Sequence, residues 1–312
     1  MSFGRTNKPE FRNKPEFRLG ASIEATPKQL LKGDRLDGLF PVGTRVYLTD
    51  VGTDTPETLA AAARVLAEAS YTPVPHLPAR RLLGDQDLRA RLDLFTGEAG
   101  VRDVLVVAGS VDAPAGNYAS SMDLLRTDIL QGYGITTVGV AGHPEGSPDI
   151  APAAVEQAVF EKNAFAAEHG LDMRLVTQFG FDPELYIAWA DQLARAGNRL
   201  PIHVGVSGPA KITTLIKFAA LCGVGPSLDF LKKRASSVMA LASGFSPEGV
   251  VSPIEHHVAT RADGHPIVHL HVFPFGGLRK TAEWLAERGS WFGLHDGAAA
   301  SALPASIASE AK

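Results

Sequence analysis

The sequence has little of several features that mark specialised classes of protein. A single cysteine, Cys222, excludes a disulfide framework and a thiolate metal cluster. It lies in an apolar stretch of helical spacing, so we expect a buried thiol without a chemical role. No apolar run approaches the roughly 18 residues of a membrane helix, and no signal-peptide core follows the first residues. We therefore expect a cytoplasmic protein with no membrane partner.

The chain also lacks an excess of charge of either sign. Its 30 basic and 34 acidic residues give a net charge of −4, without the basic surplus of proteins that bind nucleic acid. The 312 residues, 45% of them hydrophobic, are enough to bury a large core. We therefore expect small-molecule chemistry and no nucleic-acid partner.

What the sequence does contain is an alternation of short apolar runs with longer amphipathic stretches. Strands are predicted at residues 19–24, 45–49, 71–76, 103–108, 136–141, 173–178, 201–207 and 266–273. Helices are predicted at residues 55–70, 120–133, 153–169, 183–196, 211–222 and 278–287, with extra helices within 223–265 before the last strand. Eight such units predict a single-domain α/β protein, a closed (β/α)8 TIM barrel. An open doubly wound sheet is the alternative, but its glycine-rich phosphate loop is missing from the sequence.

The two ends of the chain fall outside this alternation. Residues 1–18 contain a repeated hexapeptide, NKPEFR, and predict a flexible arm; residues 296–312 are rich in Ala and Ser and predict a flexible tail. The barrel is thus predicted to span residues 19–295. Barrels of this type commonly associate through their outer helices, so a homo-oligomer is expected.

Polar residues stand where the predicted strands end. In a TIM barrel the active site is built from the carboxyl ends of the strands. Gln178 ends the sixth strand, where its amide can meet both donors and acceptors of a ligand. Asp182 is expected to cap the helix that begins at Pro183, and Asp50 to be a loop carboxylate. The other strand-end residues are Glu24, His76, Ser110, His143, Glu145 and Ser207.

Histidines crowd the region of the last strand, and alternation places His269 and His271 on one face. His256, His257 and His265 precede them. No acidic ligand falls nearby in the pattern, so no metal site is predicted, although a metal-dependent lyase or hydrolase stays open as an alternative.

Five stretches give the chain a resemblance to the methylenetetrahydrofolate reductase family over residues 19–285. The most specific is VTQFGFDPELYIAWADQLARAG, residues 176–197, which is similar to the family's sixth strand and helix. The others are GHPEGSPD at 142–149, SIEATP at 22–27, PHL at 75–77 and YAS at 118–120. The resemblance implies a TIM barrel that interconverts 5,10-methylene- and 5-methyl-tetrahydrofolate through FAD, with NAD(P)H as a possible co-substrate.

The resemblance also implies roles for individual residues. It makes Glu24 the general acid and base, a role that a carboxyl group fulfils near neutral pH only where water is scarce. Substrate contacts are implied for Gln178, Ser110, Phe218, Thr214 and Arg279. Flavin contacts are implied for Thr49, His76, Ala108, Gly109, Ser110, Tyr118, Ala119, His143, Glu145, Ser147 and Lys162.

Several positions depart from the family pattern. Ser110 stands where the family typically has an acidic residue beside the flavin, and Thr214 stands where a glutamine is expected. His143 and Ser147 replace a tyrosine and a histidine, and Lys162 is the only basic residue offered to the flavin diphosphate. Two interpretations stay open: FAD with altered contacts, or hydride transfer directly between NAD(P)H and the folate. A non-catalytic folate- or flavin-binding protein is a third.

Overall fold

Eight parallel strands close into a barrel within the residues that the computed structural model describes, which are 17–33, 36, 38–147, 150–222, 224–234, 244–261 and 264–291. In chain order the strands are β1 Gly20–Ala25, β2 Arg45–Leu48, β3 Thr72–Pro78, β4 Asp103–Val107, β5 Thr137–Gly142, β6 Asp172–Phe179, β7 Ile202–Ser207 and β8 Ile267–Phe273.

Strand pairing runs around the whole barrel, and β8 returns to β1. The closing pair places Ile23 beside Val272, and on the other side of β1 Glu24 lies beside Tyr47 of β2. Because all pairs are parallel, the carboxyl ends of the strands lie together at one end, the mouth, and the amino ends at the other, the floor. The predicted TIM barrel is confirmed, and each predicted strand agrees with an observed one to within two residues.

Helices connect the strands and cover the barrel. Two of the predicted helix starts are confirmed in detail. The Thr55 hydroxyl accepts a hydrogen bond from Thr58 N at 3.3 Å, and Asp182 accepts one from Glu184 N at 3.0 Å, each ahead of a proline in the first turn. In the described part of the chain the α-helices are α1 Pro27–Lys32, α2 Pro56–Glu68, α3 Asp85–Ala99, α4 Ser121–Leu125, α5 Ile129–Gly132, α6 Pro152–His169, α7 Pro183–Arg195, α8 Ile212–Leu221, α9 Gly225–Arg234, α10 Glu248–Ala259 and α11 Leu278–Glu287.

The prediction of one helix over residues 120–133 is wrong, since the segment forms α4 and α5. Asp128 between them has a left-handed φ of +56°, which a continuous helix does not contain. The Thr127 hydroxyl donates to Leu124 O at 2.7 Å and accepts from Ile129 N at 3.3 Å, so it ends one helix and starts the next. Helices α1 and α3 are additional to the predicted ones, whereas α9 and α10 are the extra helices expected before the last strand.

Alternate strand residues face the helices or the barrel interior, as a period of two requires. On β2, Val46 and Leu48 join the apolar layer beneath the helices. Tyr47 points inward and packs in a separate cluster with Val74 and Leu105. This inner cluster fills the middle of the barrel and separates the mouth from the floor.

The barrel interior becomes polar toward the floor. Arg174 donates to Asp103 Oδ1 and to Tyr47 Oη, both at 2.8 Å. Arg45 Nε donates to the second oxygen of Asp103 at 3.0 Å. Arg174 and Asp103 are buried, and a buried charge needs such partners. The network therefore connects β2, β4 and β6 through the interior.

Cys222 is exposed, so the expectation of a buried thiol is wrong. The buried face of α8 runs through Leu215 and Ala219, but the helix ends at Leu221 and Cys222 is its cap, beyond that face. No described helix is both long and apolar enough to cross a lipid bilayer.

Both predicted terminal segments lie almost entirely outside the described residues. Of the predicted arm only positions 17 and 18 are described, and Arg18 forms an ion pair of 2.8 Å with Glu255. The predicted tail at 296–312, and the predicted domain end at 295, lie wholly outside.

Candidate active site

Glu24 lies near the end of β1 and faces the mouth. Its Oε1 atom is 3.2 Å from Nε2 of His271 on β8 and 3.5 Å from Nε2 of His76 on β3. The Glu24 side chain is 13% exposed, so the carboxyl group is shielded by the barrel yet open to a ligand. The structure thus places a carboxyl group between two imidazoles where the sequence predicts the general acid.

His271 was considered above only as a metal ligand, and its contact with Glu24 was not predicted. The ring is buried, with its edge toward Tyr47 at a centroid distance of 4.3 Å. Its Nδ1 atom lies 3.1 Å from the hydroxyl of Ser22. The only signal in the sequence is that two alternations, Ser22 to Glu24 and His269 to His271, place these groups on inward faces of two strands.

His76, a predicted flavin contact, has a buried ring nitrogen with an unmet hydrogen bond. Its Nε2 atom has no hydrogen-bond partner among the described residues. Burial lowers the pKa of His76, against the opposing effect of Glu24. Ser207 at the end of β7 also has a buried hydroxyl without a partner in the described part of the chain. Unpaired polar atoms at the mouth suit a polar ligand there.

Gln178 is exposed although its neighbours on β6 are buried. The pairing of β6 with β7 shifts register between Val176 and Phe179, and such an irregularity re-aims a side chain. The backbone at the shift is held by Tyr186, whose hydroxyl proton is within reach of two carbonyl oxygens, Gly205 O at 2.7 Å and Gln178 O at 3.0 Å. The amide is therefore presented at the mouth on a fixed backbone.

Aromatic side chains form an apolar wall between β6, β8 and α8. Phe218, a predicted substrate contact on α8, stacks on Phe275 at a centroid distance of 4.3 Å and an angle of 18°. Phe275 also meets Phe179 edge-on at 4.8 Å. Thr214, another predicted contact, is half-buried one turn earlier on α8.

The turn after β4 brings backbone close to the mouth. Gly109 has a φ of +89°, and a Cβ there would be 3.1 Å from Pro78 Cβ. Ala108 O accepts a hydrogen bond from Arg80 N at 2.8 Å. Ser110 is exposed beside them. The position where the family has an acid therefore carries an accessible hydroxyl.

Two further predicted flavin contacts, Tyr118 and Ala119, are fixed beneath this turn. The buried Tyr118 hydroxyl donates to Asp85, and burial and that bond raise its pKa. Ala119 O accepts from Arg80 Nε at 2.8 Å. The pair supports the β4 turn, and Thr49 supports the end of β2 through its amide, which donates to Ala25 O at 3.1 Å.

The loop after β5 and the helix α6 that follows it hold predicted flavin contacts, among them Lys162, which the resemblance offers to the flavin diphosphate. Lys162 is buried, and its Nζ atom donates to Ala141 O at 2.8 Å. Burial lowers the pKa of Lys162 to about 8. Burial, and then Lys162, lower the pKa of His143 to about 4, so this ring is neutral near neutral pH. Positive charge is therefore sparse at this part of the mouth.

Glu145, another predicted flavin contact, joins the β5 loop to α9. Its carboxylate accepts hydrogen bonds from the Ser227 hydroxyl and, at 3.3 Å, from the Ser227 amide in the first turn of the helix. Burial raises the pKa of Glu145. Ser147 pairs with Ile150 in an isolated bridge. These contacts fix α9 beside the mouth.

Arg279 is exposed at the start of α11 and lines a cavity of about 430 Å³ with Gln29 and Lys280. The cavity lies at the rim, between α1 and the loop after β8. Asp50, expected to be a loop carboxylate, forms an ion pair of 3.0 Å with Arg91, and its charge acts on His76.

Two other histidines near the last strand, His257 and His265, lie at the floor and have an acidic neighbour. Asp191 of α7 lies within reach of His257 and His265, so the expectation that no acidic ligand is near is wrong. The pattern missed Asp191 because it comes from a different element. Its Oδ2 atom is 2.6 Å from Arg261, and its Oδ1 atom is 3.3 Å from His265 Nε2.

The hydrogen bonds of His265 define this floor cluster as an ion-pair network. Ile267 N donates to His265 Nδ1 at 3.1 Å, and burial lowers the pKa of His265, so the ring is neutral. Its proton is then on Nε2 and is donated to Asp191. A metal ion would need the lone pair of that same atom.

Comparison with known proteins gives consistent matches. A family model for methylenetetrahydrofolate reductase matches residues 25–234. Methylenetetrahydrofolate reductase 1 of Schizosaccharomyces pombe is 30% identical over 200 residues, 61% of this chain and 31% of that protein. The 5,10-methylenetetrahydrofolate reductase of Pectobacterium carotovorum is 23% identical over 197 residues, 61% of this chain and 62% of that protein. The matches thus span less than two thirds of these relatives.

Solved structures resemble the chain only weakly. A family GH18 chitinase from Chromobacterium violaceum is 8% identical with a TM-score of 0.40, covering 87% of this chain and 82% of that one. A likeness of this size supports no argument about function.

Proposed function

The chain belongs to the methylenetetrahydrofolate reductase family, and from this premise we propose that it interconverts 5,10-methylene- and 5-methyl-tetrahydrofolate with Glu24 as general acid and base. The observation that carries the proposal is the carboxyl group of Glu24, held between His271 and His76 at the mouth. The family match begins at Ala25, so the role of Glu24 depends on this geometry.

In the direction of reduction, the reaction requires one proton from the protein. Glu24 protonates the amine nitrogen of the methylene bridge, the carbon–nitrogen bond opens, and the electron-poor carbon accepts a hydride to become a methyl group. In the opposite direction the Glu24 carboxylate takes the proton back. The barrel supports this transfer because it shields the carboxyl group from water.

Gln178 and the aromatic wall are proposed to hold the pterin. The exposed amide can pair with the pterin's donors and acceptors, and Phe218 stacked on Phe275 offers a flat apolar surface. Ser110 and Thr214 contribute hydroxyls at the edges of this space. Arg279, at the rim cavity, is proposed to meet the acidic tail of the folate.

FAD is proposed to lie along the ends of β2 to β5. His76 Nε2 lies 3.5 Å from Glu24 Oε1 and has no hydrogen bond within the described part of the chain. The turn at Gly109 allows close approach of a flat ring, so the residues present fit the isoalloxazine. The proposed isoalloxazine site also includes Thr49, Tyr118 and Ala119. Once bound and reduced by NAD(P)H, the flavin would supply the hydride.

Direct hydride transfer from NAD(P)H to the folate is a second candidate. It is favoured because, among the described residues, few free charge partners lie around Lys162 near the end of β5, where the flavin diphosphate would bind. Lys162 donates a hydrogen bond to Ala141 O, and Glu145 accepts one from Ser227. The His143 ring is neutral because its pKa is lowered to about 4. A diphosphate would find few charge partners there. The absorbance spectrum of the purified protein, before and after FAD is added, separates the two candidates: a bound yellow chromophore supports FAD, and none supports direct transfer.

Glu24→Gln tests the acid. The amide has nearly the same shape but no acidic proton, so kcat for reduction of the methylene folate should fall about 10²–10⁴-fold while KM changes little. Glu168→Gln is the matched control, because Glu168 is exposed at the far end of α6. Wild-type kcat in Glu24→Gln would remove Glu24 from the mechanism.

A further inference from the structure

A line of hydrogen bonds leads from Glu24 into the barrel interior, away from the proposed substrate. Glu24 Oε1 lies 3.2 Å from His271 Nε2, and His271 Nδ1 lies 3.1 Å from Ser22 Oγ. Ser22 Oγ donates in turn to Leu270 O at 3.2 Å. Ser22 and His271 are each 0% exposed, so neither can touch a ligand at the mouth.

The hydroxyl of Ser22 determines which nitrogen of His271 carries a proton. Leu270 O can only accept a hydrogen bond, so the single hydroxyl proton of Ser22 is directed to it. Ser22 Oγ then accepts from His271, and Nδ1 must be protonated. If Ser22 instead donated to Nδ1, its oxygen and Leu270 O would face each other at 3.2 Å with no proton between them, losing a buried hydrogen bond.

A protonated Nδ1 constrains the contact with Glu24. In a neutral ring, Nε2 then has a lone pair directed at Glu24 Oε1. An ionised carboxylate at 3.2 Å would set two lone pairs against each other in a buried place. The contact is satisfied only when one proton lies between the two atoms, so Glu24 and His271 together hold one proton more than a carboxylate and a neutral ring do.

Two aromatic side chains and His76 surround the contact between Glu24 and His271, which leaves Glu24 as its more exposed partner. The His271 side chain is 1% exposed, with Tyr47 against one side and Phe273 at a centroid distance of 4.9 Å. His76 closes the mouth side of Oε1 at 3.5 Å. Among the described residues no hydrogen bond to Oε2 of Glu24 is found, and the Glu24 side chain is 13% exposed.

We propose that His271, fixed by Ser22, is a positioning residue that keeps Glu24 loaded with the proton that folate reduction consumes. This inference rests on the proposed function. During turnover the O–H bond of Glu24 breaks, an N–H bond forms on the folate amine, and the electron pair stays on the carboxylate. A proton from solvent at the mouth then reloads Glu24.

Two substitutions at His271 separate this role from packing. His271→Phe keeps a ring between Tyr47 and Phe273 but removes Nε2, and kcat should fall about 10²-fold at unchanged KM. His271→Gln restores a side-chain acceptor for the Glu24 proton, and kcat should recover at least several-fold over the phenylalanine variant. Wild-type kcat in His271→Phe, or equal kcat in the two variants, would overturn the proposal.

Nitrogen-15 NMR of histidine-labelled protein supplies a test that does not depend on turnover. His271 should show a protonated Nδ1, together with a strongly deshielded proton that is lost in Glu24→Gln. An unprotonated Nδ1 would overturn the proposal. If wild-type protein has no folate activity, the proposed function fails, while this spectrum still decides the hydrogen-bond arrangement.

Ser22→Ala serves as a second variant if His271→Phe does not fold, because it removes only one oxygen atom. It should weaken the preference for a protonated Nδ1 and lower kcat without changing KM. A Ser22→Ala protein with the wild-type spectrum and wild-type kcat would contradict the role given to Ser22 and overturn the proposal.

Discussion

Lys162 shows at the level of one residue how burial changes a charge. The side chain is 4% exposed, and burial lowers its pKa to about 8 from an ordinary 10.5. Near neutral pH the amine is therefore charged at a cost in desolvation, which the bond to Ala141 O offsets only in part. A ligand phosphate near it would restore a charge partner.

This cost predicts a pH-dependent stability. Between the folded pKa of about 8 and the unfolded value of 10.5, the unfolded chain binds more protons at Lys162, so the free energy of unfolding rises with pH. Lys162→Met lacks this effect. From pH 8 to 10.5 the wild type should gain on the order of 3 kcal/mol relative to the variant, measured by urea unfolding. A constant difference between the two proteins would contradict the lowered pKa.

Gln178 leads to a binding prediction at the same scale. Gln178→Ala removes the amide proposed to pair with the pterin and should raise KM for the folate about tenfold, equal to about 1.4 kcal/mol of binding. Gln192→Ala on the exposed part of α7 is the control. An unchanged KM would show that the pterin does not contact Gln178.

Among the elements, α7 shows how the segment that ends in Gln178 is held. The hydroxyl of Tyr186 on α7 fixes the backbone of β6 at Gln178 O, and Asp182 caps the helix start. The cap therefore supports both the helix and the strand end that carries the amide. The segment from Gln178 to Tyr186 thus specifies both the start of α7 and the position of the Gln178 amide at the mouth.

Removing the cap should destabilise the protein modestly. Asp182→Ala leaves the amides of Glu184 and Leu185 without their side-chain acceptor and should lower the free energy of unfolding by about 1 kcal/mol, measured with urea. Asp182→Asn keeps an acceptor oxygen and should lose much less. Equal losses in the two variants would show that the capping bond is not the source.

At the scale of the whole molecule, the buried network at the floor joins distant strands. Arg174 and Asp103 lie inside the barrel, bonded at 2.8 Å, and Tyr47 extends the network to β2. Removing one partner of a buried pair leaves an uncompensated charge, which costs more than the pair contributes. Closure of the barrel should therefore depend on Asp103.

Asp103→Ala should lower the free energy of unfolding by about 3–5 kcal/mol, because Arg174 stays buried without its carboxylate. Asp172→Ala is the control, since Asp172 is exposed at the start of β6 and should cost at most about 0.5 kcal/mol. Urea unfolding of both variants measures the difference. Similar stabilities would show that Arg174 finds another partner, such as water.

The barrel and its mouth could be predicted because each depends on a local pattern. Short apolar runs mark the strands, and parallel pairing then gathers their ends. The Glu24–His271 contact could not be predicted, because it joins residues 247 positions apart and depends on which strand closes the barrel. Asp191 was missed for a similar reason, and the break at Asp128 needs a backbone conformation that helical periodicity does not reveal.

The proposed reaction can be observed on its own carbon atom. The purified chain is incubated with tetrahydrofolate labelled with carbon-13 at the 5,10-methylene bridge, with NADH or NADPH and with or without FAD, and followed by NMR. The label should move into an N-methyl group, and it should remain in the methylene bridge when Glu24→Gln replaces the wild type. A methylene signal that persists with the wild type under every cofactor combination would contradict the proposed function.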